Sequence, residues 1–517
     1  MTPFKAPVDD IFFSLREIAG AGDLPDWDAD LSQEITSHFA SFAEGALAPL
    51  NEVGDREGCR LENGRVRMPD GFGTAYQELA ESGWQGLTAP ERFGGQDMDH
   101  LTAAAISEIF SGANHALQMV TGLVPGAVST LLNYGSEDQQ AAYIPKLASG
   151  EWLSTMCLTE PQAGSDLSTI RTKAEQTDDG WALTGEKIFI SGGDQDMSDG
   201  ILHLVLARTG DKADGVKGLS LFVCPSEVDG VRNGVSVTRI EEKMGLHASP
   251  TCQLAFEGAT AELMGEEGGG LAAMFTMMNH ARLDVALQGV AHAARAHDIA
   301  KTYAAERKQG RKADGSPAVL ADHPDVQRML DEQQILAQGA RAMCHIALVA
   351  LERGEQPALV EFLTSLCKYF GSDAGIKAAD LGMQVLGGYG YLEEYGLSQV
   401  WRDARITSIY EGANGIHALT LATRGLKLDG GKGADDFAAL VADLGGETPE
   451  IATKLDTWRG LRAEVEAHER PAELAHSFAE ASARLFLAAI WLRMAEAAKG
   501  TERAEDCDRL LARLLKD

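Results

Sequence analysis

Three short segments hold the residue types that could do chemistry. The first is Cys157-Leu158-Thr159-Glu160-Pro161-Gln162-Ala163-Gly164-Ser165-Asp166. Its Gly, Pro, Ser and Thr residues can turn backbone N–H groups and hydroxyls toward a planar heteroatom ring. The second is Gln384-Val385-Leu386-Gly387-Gly388-Tyr389-Gly390-Tyr391, where the glycines let backbone approach a ligand closely. The third is Ile409-Tyr410-Glu411-Gly412-Ala413-Asn414-Gly415-Ile416. Here a single carboxylate stands among apolar residues and glycines, and a carboxyl withdrawn from water is a stronger base. Each segment alone also has a purely structural account: a turn between helix and sheet, a helix C-cap, and a carboxylate ahead of a helix that Asn414 caps.

The elements that must position these segments fall into four stretches: 1–156, 157–270, 271–426 and 427–517. Apolar residues three and four apart predict helices over 31–50 and 101–132. From Cys157 the texture changes to short apolar, β-branched runs at 181–183, 188–190, 201–207, 219–223 and 235–240, separated by Gly, Asp and Asn clusters. That pattern predicts an antiparallel barrel or sandwich. A proline-free stretch over 271–309 predicts one long helix. Further helical patterns over 326–353, 358–386 and 416–426 complete a four-helix bundle. Residues 427–433 are rich in Gly and Lys and read as a linker, and the remainder is a helical extension. The expected fold is therefore α+β, with a helical N-terminal domain, a middle β domain, a C-terminal four-helix bundle and an extra helical stretch.

Other motifs carry less. Gly268-Gly269-Gly270-Leu271-Ala272-Ala273 fits a loose dinucleotide fingerprint, but no strand precedes it and no βαβ unit surrounds it. His292 and His297 are five apart, off the helical face a metal pair would share, so no metal site is expected. Seven scattered cysteines without a C-x-x-C argue against both disulfide frameworks and thiolate zinc sites. With 45 Lys and Arg against 77 Asp and Glu, the net charge is −32, which disfavours nucleic acid and anionic membrane as partners. No run reaches the roughly 18–20 apolar residues of a membrane span. The opening Met1-Thr2-Pro3-Phe4-Lys5 lacks the features of a signal peptide, so the expected compartment is the cytoplasm.

Taken together and in this order, the three segments resemble the acyl-CoA dehydrogenase family over about residues 79–424. One family signature is matched over 157–166, departing afterwards at Thr169; a second is matched over 384–403, departing at Gln399. The resemblance implies FAD as cofactor and Glu411 as the base, in a Tyr-Glu-Gly motif whose following Thr is Ala413 here. It implies that Leu158, Thr159, Phe189, Ile190 and Ser191 line the flavin, and that Ser165, Arg282 and Gly412 lie on the substrate side. Arg307 would reach the FAD pyrophosphate of a neighbouring subunit, with Gln384, Gly387 and Gly388 on the adenosine side, in a homodimer or homotetramer. Gln309 and Gly310 replace the family's usual residues after the Arg307-Lys308 pair, and 311–323 reads as an inserted loop.

The implied reaction is α,β-dehydrogenation of an acyl-CoA to the trans-2-enoyl-CoA. Glu411 abstracts the α proton, flavin N5 accepts the β hydride, and an electron-transferring flavoprotein takes the electrons. The opening Phe4-Lys5-Ala6-Pro7, the inserted loop and the extension resemble a long bacterial subgroup acting on 3-methylthiopropionyl-CoA, from dimethylsulfoniopropionate breakdown. A short or medium straight-chain acyl-CoA stands beside it, since a methylene and a thioether sulfur differ little to an apolar pocket. An acyl-CoA oxidase on the same scaffold is a further reading. A non-catalytic, nucleic-acid-binding flavoprotein is disfavoured by Glu411 and by the charge.

Overall fold

The computed structural model describes residues 2–178, 180–446 and 448–516. The chain forms two compact units, each discontinuous in sequence: Met1–Glu44 with His100–Ala113 and Arg282–Asp517, and Gly45–Asp99 with Asn114–Ala281.

The second unit is built on a seven-stranded sheet of β1 (Trp152–Cys157), β2 (Lys173–Thr177), β3 (Gly180–Ser191), β4 (Gly200–Arg208), β5 (Leu219–Pro225), β6 (Val235–Ile240) and β7 (Thr251–Met264). Strand order is β6-β7-β3-β2-β4-β1, with β5 pairing both β7 and β4. β4 and β5 are buried along their whole length, which is why they read as continuous apolar runs rather than alternating ones. Helices Val124–Tyr134 and Glu137–Ala148 pack on β1. The second starts with a Ser136/Gln139 capping box, a pattern written in the sequence.

The antiparallel expectation needs one correction. β1 runs parallel to β4, in register from Trp152↔Gly200 to Cys157↔Val205, and β2 meets β4 in parallel at Lys173↔Arg208, so the sheet is mixed. A parallel neighbour requires a long crossover, and here the crossover contains both the 157–166 segment and the β2–β3 hairpin.

The first unit is helical. Its members are α1 (Gly270–Glu306, of which residues 282–306 belong here), α2 (Pro324–Arg353), α3 (Pro357–Leu386), α4 (Leu397–Ala404), α5 (Asn414–Ala422), α6 (Lys432–Gly445), α7 (Pro449–Ala467), α8 (Ala475–Ala498) and α9 (Ala504–Leu514). α1 stops at Glu306, short of the expected 309, because Lys308–Arg311 pairs with Pro317–Val319. The inserted loop is thus a hairpin. α1 and α3 cross at small residues: a Cβ on Gly289 would fall 2.1 Å from the Gly371 carbonyl oxygen, and one on Gly375 2.6 Å from that of Gly289. Glycine is what allows the two backbones to touch there.

The helices after 427 are integral to this unit. α8 packs on α2, α5, α6 and α7. Phe437 joins them to α3, with its ring 5.0 Å from Phe362, 5.3 Å from Trp458 and 5.5 Å from Phe486. α2 is long and apolar enough to span a membrane, yet 83% of its apolar stretch is buried in the protein. It is a core helix.

Inside the same unit Arg341 on α2 meets Glu108 through contacts of 2.6, 2.9 and 3.1 Å, both side chains 1% exposed. The Glu108 carboxylate holds the guanidinium charged against burial. Truncating one partner strands the other charge in the core. Glu108→Ala or Arg341→Ala should each destabilise the protein by about 3–5 kcal/mol, read as a lower urea midpoint. The double variant Glu108→Leu/Arg341→Met should lose less than either.

Candidate active site

Glu411 follows a single 3₁₀ turn, Arg405–Ser408, and precedes α5. Its backbone is left-handed, φ +52°, and Gly412 follows at φ +95°. Such a conformation is costly for a residue with a side chain and persists only where the surroundings impose it. Those surroundings are identifiable. His417 Nε2 lies 3.1 Å from the Glu411 carbonyl oxygen. Burial takes the His417 pKa down to about 3, so the ring is neutral and donates this bond from Nε2–H. Lys368 Nζ donates to the Gly412 carbonyl oxygen at 2.7 Å and to Asn414 Oδ1 at 3.0 Å. A Cβ on Gly412 would stand 2.9 Å from His417 Nε2, so this position needs glycine for space as well as conformation.

Glu411 is half-buried as a residue, and protein atoms crowd its carboxyl. Burial is the largest influence and raises its pKa to about 7, opposed by the charges of Arg282 and Lys368 and reinforced by Asp284. Arg282 on α1, expected on the substrate side, thus has its charge facing Glu411. Beneath the turn a polar chain anchors Tyr410: its hydroxyl donates to Gln288 Oε1, Gln288 Nε2 donates to Asp284 Oδ2 at 2.9 Å, and Ser107 Oγ donates to Asp284 Oδ1.

Asn414 does not cap α5. It is the first helical residue, the preceding Ala413 makes no side-chain capping bond, and the Asn414 amide turns toward α3. Its Nδ2 donates to Asp373 Oδ1 at 2.8 Å and to the Tyr369 carbonyl oxygen at 3.1 Å. Placement of Lys368 beside it explains the change, because the amide oxygen is worth more as an acceptor for a buried ammonium.

In the other unit the 157–166 segment leaves β1 and folds against β3. Ile188 N donates to the Thr159 carbonyl oxygen at 2.9 Å, which brings Leu158 and Thr159 alongside Phe189, Ile190 and Ser191. Phe189 has φ +59° and is 60% exposed. A large apolar ring exposed on a strained backbone offers an apolar face to a planar ligand, in a segment that also carries the hydroxyl residues Thr159 and Ser191. Glu160 is not at this surface. Its carboxylate is buried and accepts from Arg171 N at 2.7 Å, Thr172 N at 3.0 Å and Lys187 Nζ at 2.9 Å. Lys187 also donates to the Leu158 carbonyl oxygen at 2.8 Å. Ser165 lies exposed at the turn.

Arg307 and the 384–391 segment come together in the first unit. Gln384, Gly387 and Gly388 are exposed, and the Arg307 guanidinium sits 5.4 Å above the Tyr389 ring. A Cβ on Gly387 or Gly388 would meet nothing within 4 Å, so these glycines serve no packing there; Gly387 does need φ +60°. Gln399, where the family carries a cation, is buried on α4, an environment that suits the neutral side chain.

Lys187 and Lys368 were not found from the sequence, nor were His417, Gln288 and Asp284. The available signal was a lone lysine inside an apolar run, as in Leu366-Cys367-Lys368-Tyr369-Phe370, since a lysine is almost never fully buried unless paired.

Comparison with known proteins gives the arrangement its context. The chain matches the N-terminal, middle and C-terminal domains of acyl-CoA dehydrogenases over residues 30–151, 155–259 and 268–426. It is 41% identical over 469 residues to 3-methylmercaptopropionyl-CoA dehydrogenase of Ruegeria pomeroyi, covering 86% of this chain and 80% of that one. Among solved structures, Caenorhabditis elegans ACDH-11 in complex with C11-CoA superposes with TM-score 0.86 at 22% identity, over 99% of this chain and 91% of the other. An acyl-CoA dehydrogenase from Bacillus anthracis complexed with FAD gives TM-score 0.77 at 23% identity, over 95% and 87%. Those two likenesses establish the fold. With all three domains matched in order along the chain, and extensive identity to a relative across most of both lengths, this protein belongs to the acyl-CoA dehydrogenase family.

Proposed function

We propose that Glu411 is the base of an FAD-dependent acyl-CoA dehydrogenase whose substrate is 3-methylthiopropionyl-CoA. Acyl-CoA dehydrogenation with FAD is the activity of the family to which the chain belongs. The observation that carries the residue assignment is the strained, crowded Glu411 carboxyl, raised to about 7. A thioester α-CH is a very weak acid, and a solvated carboxylate is far too weak a base for it. Burial strengthens the base by destabilising its anion, while Arg282 and Lys368 keep ionisation within the neutral range. As α-carbon charge delocalises onto the thioester oxygen, the backbone N–H of Glu411 is the donor this reading assigns to it, with Gly412 on the substrate side.

FAD, when bound, supplies the two-electron acceptor for the β hydride. The residues that would hold it are Leu158, Thr159, Phe189, Ile190 and Ser191 on the ring side, and Arg307, Gln384, Gly387 and Gly388 toward the nucleotide of a neighbouring subunit in a homodimer or homotetramer. Ser165 and Arg282 complete the substrate-side assignment, and an electron-transferring flavoprotein is the acceptor. The methylthio substrate is supported by the likeness, at 41% identity, to 3-methylmercaptopropionyl-CoA dehydrogenase.

A positioned base contributes about 10²–10⁴-fold. Purified Glu411→Gln should therefore stay yellow and bind thioester, but bleach anaerobically at least about 10²-fold more slowly than the parent. Parental bleaching would remove Glu411 from the role. The base must be ionised, so kcat/KM of the parent should fall tenfold per pH unit below about 7 and level off above it. A dye-linked assay over a panel of acyl-CoAs should give the highest kcat/KM with the 3-methylthiopropionyl thioester. Preference for a straight chain would redirect the substrate assignment without touching the chemistry, and peroxide formed at the rate of substrate loss would mark an oxidase.

A further inference from the structure

We propose that Lys368 is a positioning residue of this reaction: from α3 it holds the Gly412 carbonyl and Asn414, thereby the left-handed Glu411–Gly412 turn, and supplies positive charge facing Glu411. This rests on Glu411 being the base.

The geometry is specific. Lys368 is fully buried, and its Nζ donates to two neutral acceptors, the Gly412 carbonyl oxygen at 2.7 Å and Asn414 Oδ1 at 3.0 Å. An ammonium in the interior is costly unless its hydrogen bonds are made and an opposite charge is near. For packing alone a Met of similar length would serve. Both carbonyls of the turn are gripped, that of Glu411 by His417 and that of Gly412 by Lys368. Asn414 is itself held by Tyr369, Ser372 and Asp373, so the lysine is braced on both sides. The crossing of α1 and α3 at Gly289, Gly371 and Gly375 brings the helices bearing Arg282 and Lys368 into contact.

Among the described residues, the charged groups acting on Glu411 are Arg282 and Asp284 from α1 and Lys368 from α3, while His417 from α5 is neutral. Lys368 in turn feels Glu411, Asp373 and Arg282, and burial leaves its pKa at about 8. Through the neutral range it is therefore mainly cationic, and removing it leaves Arg282, among the described residues, as the one cation acting against Asp284 and burial. The Glu411 carboxyl then ionises at higher pH.

The test uses holoenzyme variants and the pH dependence of anaerobic flavin reduction by acyl-CoA. Lys368→Met should lower the rate at pH 8 by about 10²-fold, the scale of a misplaced reacting group, and move the acid limb up by roughly one unit or more. Lys368→Gln keeps a donor for the Gly412 carbonyl without the charge: the high-pH rate should recover in part while the limb stays raised. Lys368→Arg should return the limb toward the parent. A folded, flavin-loaded Lys368→Met with parental rate and limb would overturn the proposal. Should neither neutral variant fold, Asn414→Leu, which takes one acceptor from the ammonium without adding a charge, should lower the rate at pH 8 and raise the limb, and a parental rate and limb overturn the proposal equally. Glu411→Gln separates the two claims: if it is inactive while the Lys368 and Asn414 variants behave as the parent, only the lysine's role falls. If it retains turnover, the base assignment falls.

Discussion

At one carboxyl of the first unit, that of Glu411, burial and two cations pull in opposite directions. Burial alone would push Glu411 out of range; Arg282 and Lys368 pull it back to about 7. Each cation sits on a different long helix, so the balance depends on how α1 and α3 meet. Three glycines at that crossing set the approach to backbone contact. A methyl group added there would separate the helices and, with them, the charges.

The helices beyond residue 427 belong to the same arrangement. α8 lies against α5, the helix whose first turn follows Glu411, and against α2 and α3 as well. Its Phe486 and Trp491 are fully buried, each contributing on the order of 2–3 kcal/mol of apolar burial. Trp458 on α7 donates to Ser482 Oγ at 2.8 Å, so the polar edge of that ring is satisfied inside the core. The extension therefore buttresses the back of the turn that carries Glu411.

Both candidate functional turns are built by the same device. In one unit Lys187 bonds the Leu158 carbonyl and the Glu160 carboxylate; in the other Lys368 bonds the Gly412 carbonyl and Asn414. In each case a buried ammonium ties down the carbonyl of a loop that cannot satisfy itself through regular structure, and a non-glycine residue nearby, Phe189 or Glu411, adopts positive φ. Backbone held in a strained state by buried polar bonds keeps its geometry when a ligand arrives.

From the amino-acid order alone one can read the long helices, the change to β structure after Cys157, the turn-rich segments and the lone Glu411, because these depend on local periodicity and residue type. The family resemblance was carried by the same contiguous motifs. The parallel pairing of β1 with β4, the hairpin ending α1 and the failure of Asn414 to cap α5 were decided elsewhere in the chain. So were the partners of Glu411: Lys368 stands out only as a lone lysine in an apolar run, and nothing local to Arg282 or to His417, six residues downstream, says that it acts on Glu411. They gain that role only when helix packing removes water from around them, since the strength of a charge or of a polar bond is set by its surroundings, and those are assembled from residues far apart in sequence.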